Sequence, residues 1–358
     1  MDSAEKNILG IRLRLARKMA GISLQELSDQ IGNLVTKQAL NKYEQGLMRP
    51  TSEVLIALSK SLNVKPEYFL KKKTIELNHI SFRKKASLSN KVEESIIEKA
   101  RDYIERFLEI ENILGVESAF KNPIENFIIK TDEDIIKASN VLRDYWELGN
   151  SPIQNVVEML EMKGVKVYLI NESDDIDGVS FLASNQIPVV IINTRLKPVE
   201  RIRFTIIHEL AHLLLKFEDS IEKENKLIEK LCHRFSSTFL IPDNKLVEMI
   251  GGEHRGYIAI KELISIKEYY GISIRAIVFR LHQMNIISQS YYQRWMIFMS
   301  KTYGQKNEPG SYKFEEKIKL FEQLVIRALS EELISISKAA SLMNTSVNNI
   351  RKGIVGVR

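Results

Sequence analysis

The sequence holds a single cysteine, Cys232. No internal disulfide can form, and every zinc motif built on several cysteines is excluded. Any metal bound by this chain must rest mainly on histidine and carboxylate ligands. No apolar run approaches the roughly 20 residues that a membrane-spanning helix requires, so a helical membrane protein is excluded and no membrane partner is expected. The N-terminal MDSAEKNILG lacks the basic start, apolar stretch and small-residue cleavage site of a secretory signal, which makes the cytoplasm the expected location. There is no repeat and no low-complexity tract.

What remains is an ordinary globular composition, 44% hydrophobic and 27% charged, in 358 residues, enough for two or three domains. The net charge of +6 is unevenly spread. Residues 1 to 73 hold 13 Lys and Arg against 7 Asp and Glu, and the other 285 residues balance at 39 against 39. A basic excess confined to one small segment points to a polyanionic partner or to a solvated face, and the sequence pattern has to decide between them.

The first 70 residues read as short helices between tight turns. Ile8, Ile11 and Leu15 share helical spacing, as do Leu24, Leu27 and Ile31. Ser23 and Glu26 form a capping box that opens a second helix. Gly32-Asn33 stops it, and a third helix starts at Thr36 and ends at Gly46. Two short helices around a tight turn make a helix-turn-helix. A further helix through Val54, Leu58 and Leu62 and a turn near Pro66 complete a five-helix unit. In such a unit the second helix enters the major groove, so Gln38 and Asn41 would read bases. Lys37 and Lys42 would hold phosphates, with Gln25, Arg49 and the basic first helix (Arg12, Arg14, Arg17, Lys18) as further backbone contacts. The alternative is a helical protein-interaction domain with solvated charges.

Beyond a basic connector (Lys71 to Lys73, Arg83 to Lys85), residues 90 to 149 carry helical periodicity through Ile96, Tyr103, Phe107 and Leu108. After Pro152, three strand-like runs follow, at Val165 to Leu169, Val179 to Phe181 and Val189 to Ile192. The sequence HELAH comes directly after them. On an α-helix, His208 and His212 lie about 40° apart around the axis and about 6 Å along it, so both imidazoles reach one ion. Glu209, about 100° from His208, stands beside the ion as general base rather than ligand. Phe204, Ile206, Ile207, Leu210, Ala211, Leu213, Leu214 and Leu215 make this helix apolar on nearly every side. Burying two imidazoles and a carboxylate is costly unless a metal or hydrogen bonds satisfy them, although two core histidines with ordinary partners are the bland alternative.

A second helix through Leu227, Ile228, Leu231, Cys232, Phe235 and Phe239 places Glu229 and His233 together on another face. Glu229 is the expected third ligand, with His233 as support or as its replacement. Two histidines, one glutamate and an open fourth position make a catalytic Zn2+ arrangement. Cys232, on the apolar stripe, reads as core. Groups to stabilise an oxyanion or contact substrate are less defined. Arg203, His254, Arg255 and Tyr257 are candidates, and the Val179 to Leu182 strand, if an edge, could pair with an extended peptide.

These residues resemble two known families. SLQELSDQIG, TKQALNKYEQG and RPTSEVLIALSKSLNV, within residues 8 to 70, resemble the XRE family of phage-repressor-type DNA-binding domains. RFTIIHELAHLLL and EKLCHRFSSTFLIP, within about 152 to 245, resemble the ImmA/IrrE metallopeptidases. With FRKKASLS and YGISIRAIVFRLHQMNIIS, the whole chain is similar to bacterial regulators that fuse the two. The resemblance carries over to His208 and His212 as zinc ligands, Glu209 as base and Glu229 as third ligand in its E-x-x-A-H/N-x-F segment. Cys232 stands where alanine is usual, and Ala211 where glycine is common. It implies a selective peptidase that relieves repression by cutting an XRE-type repressor on a stress or mobile-element signal.

The expected fold is therefore α+β and mainly helical. A helix-turn-helix domain at 1 to 72 precedes a connector with linking helices at 73 to 150. A peptidase core with a small sheet follows at 151 to 245, completed by helices at 246 to 310. Residues 311 to 358 form a C-terminal helical segment, where SISKAASLMNTSVNNIRK has the spacing of a candidate second helix-turn-helix, with a small helical cap as the alternative. The expected function is a DNA-binding transcriptional regulator, a homodimer on double-stranded operator DNA, with a zinc-dependent, site-specific peptidase domain acting on a protein substrate. A non-catalytic metal- or ligand-sensing repressor and an antitoxin-like partner-binding regulator are the alternatives.

Overall fold

Short helices with polar N-caps build the N-terminal part of the computed structural model, which describes residues 3–72, 75–77, 89–116, 120–172, 176–184, 186–252 and 255–353. The chain divides into two compact units, residues 118–320 forming one and the remainder, from both ends of the chain, forming the other.

In the first unit, helices span Ser3–Ala20, Leu24–Gln30, Lys37–Glu44 and Ser52–Ser61, followed by a 3-10 turn at Pro66–Leu70. Each boundary has a local cause. Ser23 and Glu26 form the capping box, Thr36 caps the third helix through Ala39 N–H, and Thr51 caps the fourth through Val54 N–H. Leu13, Ala16, Leu27, Leu40, Tyr43, Leu58 and Phe69 close a core at 5% exposure or less. The long helix Asn90–Leu114 packs on the first helix, with Ser95 Oγ donating to the Met19 carbonyl at 2.7 Å and Arg12 paired with Glu105 at 2.6 Å. Phe321, on the Leu320–Ser330 helix, meets the Tyr103 ring edge-on and the Phe107 ring at a tilt, both on that same long helix. Two short helices follow, Ile336–Leu342 and Val347–Gly353, around a turn in which Asn344 adopts φ 48°. The segment read as linking helices is thus divided, its long helix belonging to the first unit and Asp132–Tyr145 to the second. Helical periodicity shows which face is buried and not which core buries it. Most of the basic connector, including Lys73 and Arg83 to Lys85, lies outside the described residues.

The second unit is α+β. A short strand β1 (Ile128–Ile129) pairs in parallel with β5 (Lys216–Phe217). Among the described residues the main sheet has three strands, β2 (Lys166–Ile170), β3 (Gly178–Ala183) and β4 (Ile187–Asn193), in the order β2-β4-β3. β4 is fully paired, parallel to β2 and antiparallel to β3. Its run Pro188 to Asn193 is buried on both faces, which accounts for the unbroken apolar stretch in the sequence. The helices Val199–Leu214 and Asn225–Leu240 pack on each other over this sheet, sharing a core of Val167, Val190, Ile192, Ile206, Leu210, Leu231 and Phe235.

Candidate functional site

Val199–Leu214 buries eleven of its sixteen residues, including His208 and Glu209, each 8% exposed. His208 Nε2 and His212 Nε2 stand 3.1 Å apart, as the i, i+4 spacing requires. From the neighbouring helix, Glu229 brings Oε2 to 3.2 Å from His208 Nε2 and Oε1 to 3.7 Å from His212 Nε2. A tetrahedral zinc ion with bonds of 2.0–2.1 Å has ligand atoms about 3.3–3.4 Å apart. The three spacings bracket that value, and two imidazoles with one carboxylate are a donor set zinc favours. The residues therefore fit the metal. Ligation through Nε2 leaves the proton on Nδ1, and His212 Nδ1 faces Cys232 Sγ at 3.3 Å. The thiol, buried as expected, is thus also a neighbour of a metal-site imidazole.

The Asn225–Leu240 helix is held at its C-terminal end by two buried arginines. Arg280 donates to the carbonyls of Ser237 at 2.7 Å and Ile241 at 2.6 Å, and Arg143 donates to that of Phe239. The Ser237 carbonyl also accepts the Ile241 N–H of the helix cap at 3.2 Å, and the cations oppose the negative end of the helix dipole. Burial draws both guanidinium pKa values down to about 10. Asp243 pairs with Arg280 and, at 2.6 Å, with Arg234.

Glu209 does not join the ligand cluster. Its Oε2 accepts a hydrogen bond from Ser180 Oγ at 2.9 Å, on β3. Gly178, two residues earlier on the same face, is where that carboxylate passes. A Cβ there would stand 3.0 Å from Glu209 Cγ and 2.9 Å from Ile192 Cδ1. Sequence reasoning noticed this strand only as a docking edge and missed Ser180 and Gly178. Nothing in their spacing relative to HELAH betrays a contact that the sheet register creates.

The substrate-contact candidates fall elsewhere. Arg203 is fully buried. It donates to the carbonyls of Gly271 (3.1 Å), Gln154 (3.2 Å), Tyr270 (3.3 Å) and Ile153, pairs with Glu316, and lies 4.4 Å over the Tyr312 ring. Gly271 (φ +65°) allows the approach, since a Cβ there would lie 2.5 Å from Arg203 Nε. Arg203 is a core anchor and does not face a substrate. Arg255 is likewise committed, to Glu262 at 3.0 and 3.1 Å and to the Ile250 carbonyl, and the Tyr257 side chain is 73% exposed. His254 lies outside the described residues.

On the first unit, Lys37, Gln38, Asn41 and Lys42 are all exposed on the Lys37–Glu44 helix, while Leu40 and Tyr43 face the core. Gln25 and Arg49 are exposed too, the Gln25 amide donating to Asp29 at 3.0 Å. The first helix departs from expectation. Arg12 is buried against Glu105, Arg17 forks onto Glu44 at 2.6 and 2.9 Å, and Lys18 pairs with Glu94 at 3.2 Å. Of the four cations assigned there to phosphates, Arg14 is the one whose side chain lies exposed. Two of the partners, Glu94 and Glu105, come from the long helix, which a reading of the first 70 residues alone could not supply.

A helix-turn-helix family model matches residues 13–69, and the model of the IrrE N-terminal-like domain, a peptidase family, matches residues 161–282. No curated protein matches the chain.

Proposed function

From a chain that joins an XRE-type helix-turn-helix domain to an IrrE-like metallopeptidase domain, we propose a transcriptional regulator that holds operator DNA with residues 1–72 and cleaves a protein substrate at a zinc centre. The observation that carries the proposal is the convergence of His208, His212 and Glu229 within 3.1 to 3.7 Å, with Glu209, next to His208 in the chain, accepting a hydrogen bond from Ser180. Zinc bound there would supply a Lewis acid that polarises a peptide carbonyl and acidifies water. Glu209 takes the proton from the attacking water and delivers it to the leaving amine. Ser180 Oγ, donating to Oε2, fixes the rotation of that carboxylate. Partial burial weakens solvent screening around the ligands.

Among the described residues β3 is an edge strand, paired on one side by β4. An extended substrate segment adds to its other side by backbone hydrogen bonds, which brings a peptide bond past Ser180 toward Glu209. On the DNA unit, Gln38 and Asn41 read base edges while Lys37, Lys42 and Arg49 hold phosphates. A homodimer on paired half-sites follows from the way such readers achieve affinity, and an XRE-type repressor is the substrate that best suits the pairing of the two domains. Among the described residues no helix is long and apolar enough to cross a membrane.

The test compares wild type with Glu209→Gln, measuring bound zinc and cleavage of XRE-type repressor proteins. Zinc in both and cleavage by wild type alone supports the reading. Zinc in both with no cleavage by either favours a metal-sensing module.

A further inference from the structure

The Glu229 helix presents a second metal-binding side chain to the site. His233 follows Glu229 by four residues, the same spacing that lets His208 and His212 share an ion. Its ring centroid lies 4.6 Å from that of His208, inclined at 55°, and 5.6 Å from the Phe204 ring. Nitrogen or oxygen ligand atoms of His208, Glu229 and His233 all fall within 4.8 Å of one another, a group that does not include His212, which instead stands 3.1 Å from His208 Nε2 and 3.7 Å from Glu229 Oε1. Two adjacent helices thus each offer an i, i+4 pair, which is the number of donors that fills a tetrahedral zinc ion. His208 is buried and Glu229 half-buried, whereas His233 is exposed. The His208 ring is enclosed, whereas His233 borders solvent.

Coordination number separates the two kinds of zinc site. Four protein ligands make a closed, structural centre, and three leave a position for substrate. Resting on the zinc reading above, we propose that His233 is a fourth, removable protein ligand, so that the centre alternates between a closed form and an open one. In the closed form His208, His212, Glu229 and His233 surround the ion. In the open form His233 has rotated toward solvent and the fourth position is available to a peptide carbonyl. The arrangement gives the peptidase a latent state without a separate inhibitory segment. It also gives the substrate a role in activation, because a peptide docked on β3 competes with His233 for that position.

Thermodynamically, a closed form populated about 90% of the time weakens the apparent affinity for any ligand of the fourth position about tenfold. The experiment uses the full chain loaded with Co2+, titrated with acetohydroxamic acid and followed by the visible d–d absorption, for wild type and His233→Ala. His233 is exposed, so the substitution spares the core. The expected result is hydroxamate binding about tenfold tighter in His233→Ala, together with faster loss of metal to a chelator. Equal hydroxamate affinity in the two proteins overturns the fourth-ligand proposal while leaving the three-ligand site intact. A wild-type chain that takes up no cobalt, or one that keeps it after His208→Ala and His212→Ala, overturns the zinc reading and this proposal with it.

Discussion

Arg203 offers the sharpest test of where substrate contacts end and scaffold begins. The residue sits five positions before His208 on the same helix and is fully buried. Its guanidinium reaches the carbonyls of Gly271, Gln154, Ile153 and Tyr270 and the carboxylate of Glu316, whose Oε2 also accepts the Val157 N–H at 2.9 Å. Arg203→Met removes the cation and leaves these acceptors in a dry core. Breaking a buried pair from one side costs about 3–5 kcal/mol, and stranded carbonyls add to it. For a unit of about 200 residues, each kcal/mol moves the melting temperature about 2–4 °C, so a drop of at least about 6–12 °C is expected.

The loss also has a pH signature. Burial already raises the Glu316 pKa against the opposing pull of Arg203. Without the cation it rises further, and a carboxyl whose folded pKa exceeds its unfolded value destabilises the fold as pH rises through that window. The deficit of Arg203→Met is therefore smallest in mild acid and largest at neutral pH. Calorimetry at several pH values reads both effects. A variant that melts within about 2 °C of wild type while losing peptidase activity would refute the anchor role and restore Arg203 as a substrate contact.

Four further outcomes are expected. Glu209→Gln keeps one zinc per chain by elemental analysis and loses cleavage by about 10²–10⁴-fold, as removal of a general base predicts; loss of the metal instead would make Glu209 a ligand. Ser180→Ala leaves zinc content unchanged and lowers kcat about tenfold or more, since one charge-assisted hydrogen bond of about 1.5–3 kcal/mol is removed from the carboxylate, and an unaltered kcat would show that Glu209 needs no such support. In DNA binding, Lys42→Ala weakens all duplexes alike and reduces the salt slope by about one unit, whereas Asn41→Ala relaxes sequence preference at about 1–3 kcal/mol; the reverse pattern would place the Lys37–Glu44 helix outside the major groove. Glu26 is pulled down to about 2, first by the Ser23 backbone N–H and then by Lys91 and the Ser23 hydroxyl. A depressed carboxyl contributes stability above its ordinary value near 4.5 that is lost as pH falls toward about 2. Its carboxyl carbon, followed by NMR, should titrate near the lower figure, and a midpoint near 4.5 would mean that the capping box is not formed.

Local signals in the sequence reached the structure well where cause and effect lie within one turn of helix. Ser23 with Glu26 and Thr36 mark helix starts that the backbone obeys. The i, i+4 pairs His208/His212 and Glu229/His233 place four polar groups on two helices with no tertiary information. The failures are long-range. Arg12 and Arg203 are cations that composition and motif proximity assign to phosphate and substrate, and each is taken up by a partner at least 90 residues away, Glu105 and Glu316. A buried arginine with several carbonyl acceptors leaves no periodic trace, because the acceptors are backbone groups common to every residue. The same holds for the long helix Asn90–Leu114, whose apolar stripe is plain in sequence while its neighbour, the first helix, is not.

β3 shows how a period of two divides labour within six residues. Val179 and Phe181 point to one face, where they are buried opposite Ile191 and Val189 of β4. Gly178 and Ser180 point to the other, opposite Ile192 and Val190, and there they meet Glu209. The first face holds the strand in the sheet, and the second sets the position of the Glu209 carboxylate. Substitution of Phe181 by alanine should cost about 3–5 kcal/mol of stability if its ring is as fully packed as its burial implies. Gly178→Ala should act on activity instead. The new methyl group must displace both Ile192 Cδ1, which can turn aside, and Glu209 Cγ, which takes the carboxylate with it, and it also lies 3.2 Å from the Ile191 carbonyl. A shift approaching 1 Å at a proton-transferring group costs on the order of 100-fold in rate. The two adjacent-face substitutions therefore separate, one lowering melting temperature and the other kcat at unchanged zinc content, and a Gly178→Ala protein with full activity would mean that β3 does not set the position of Glu209.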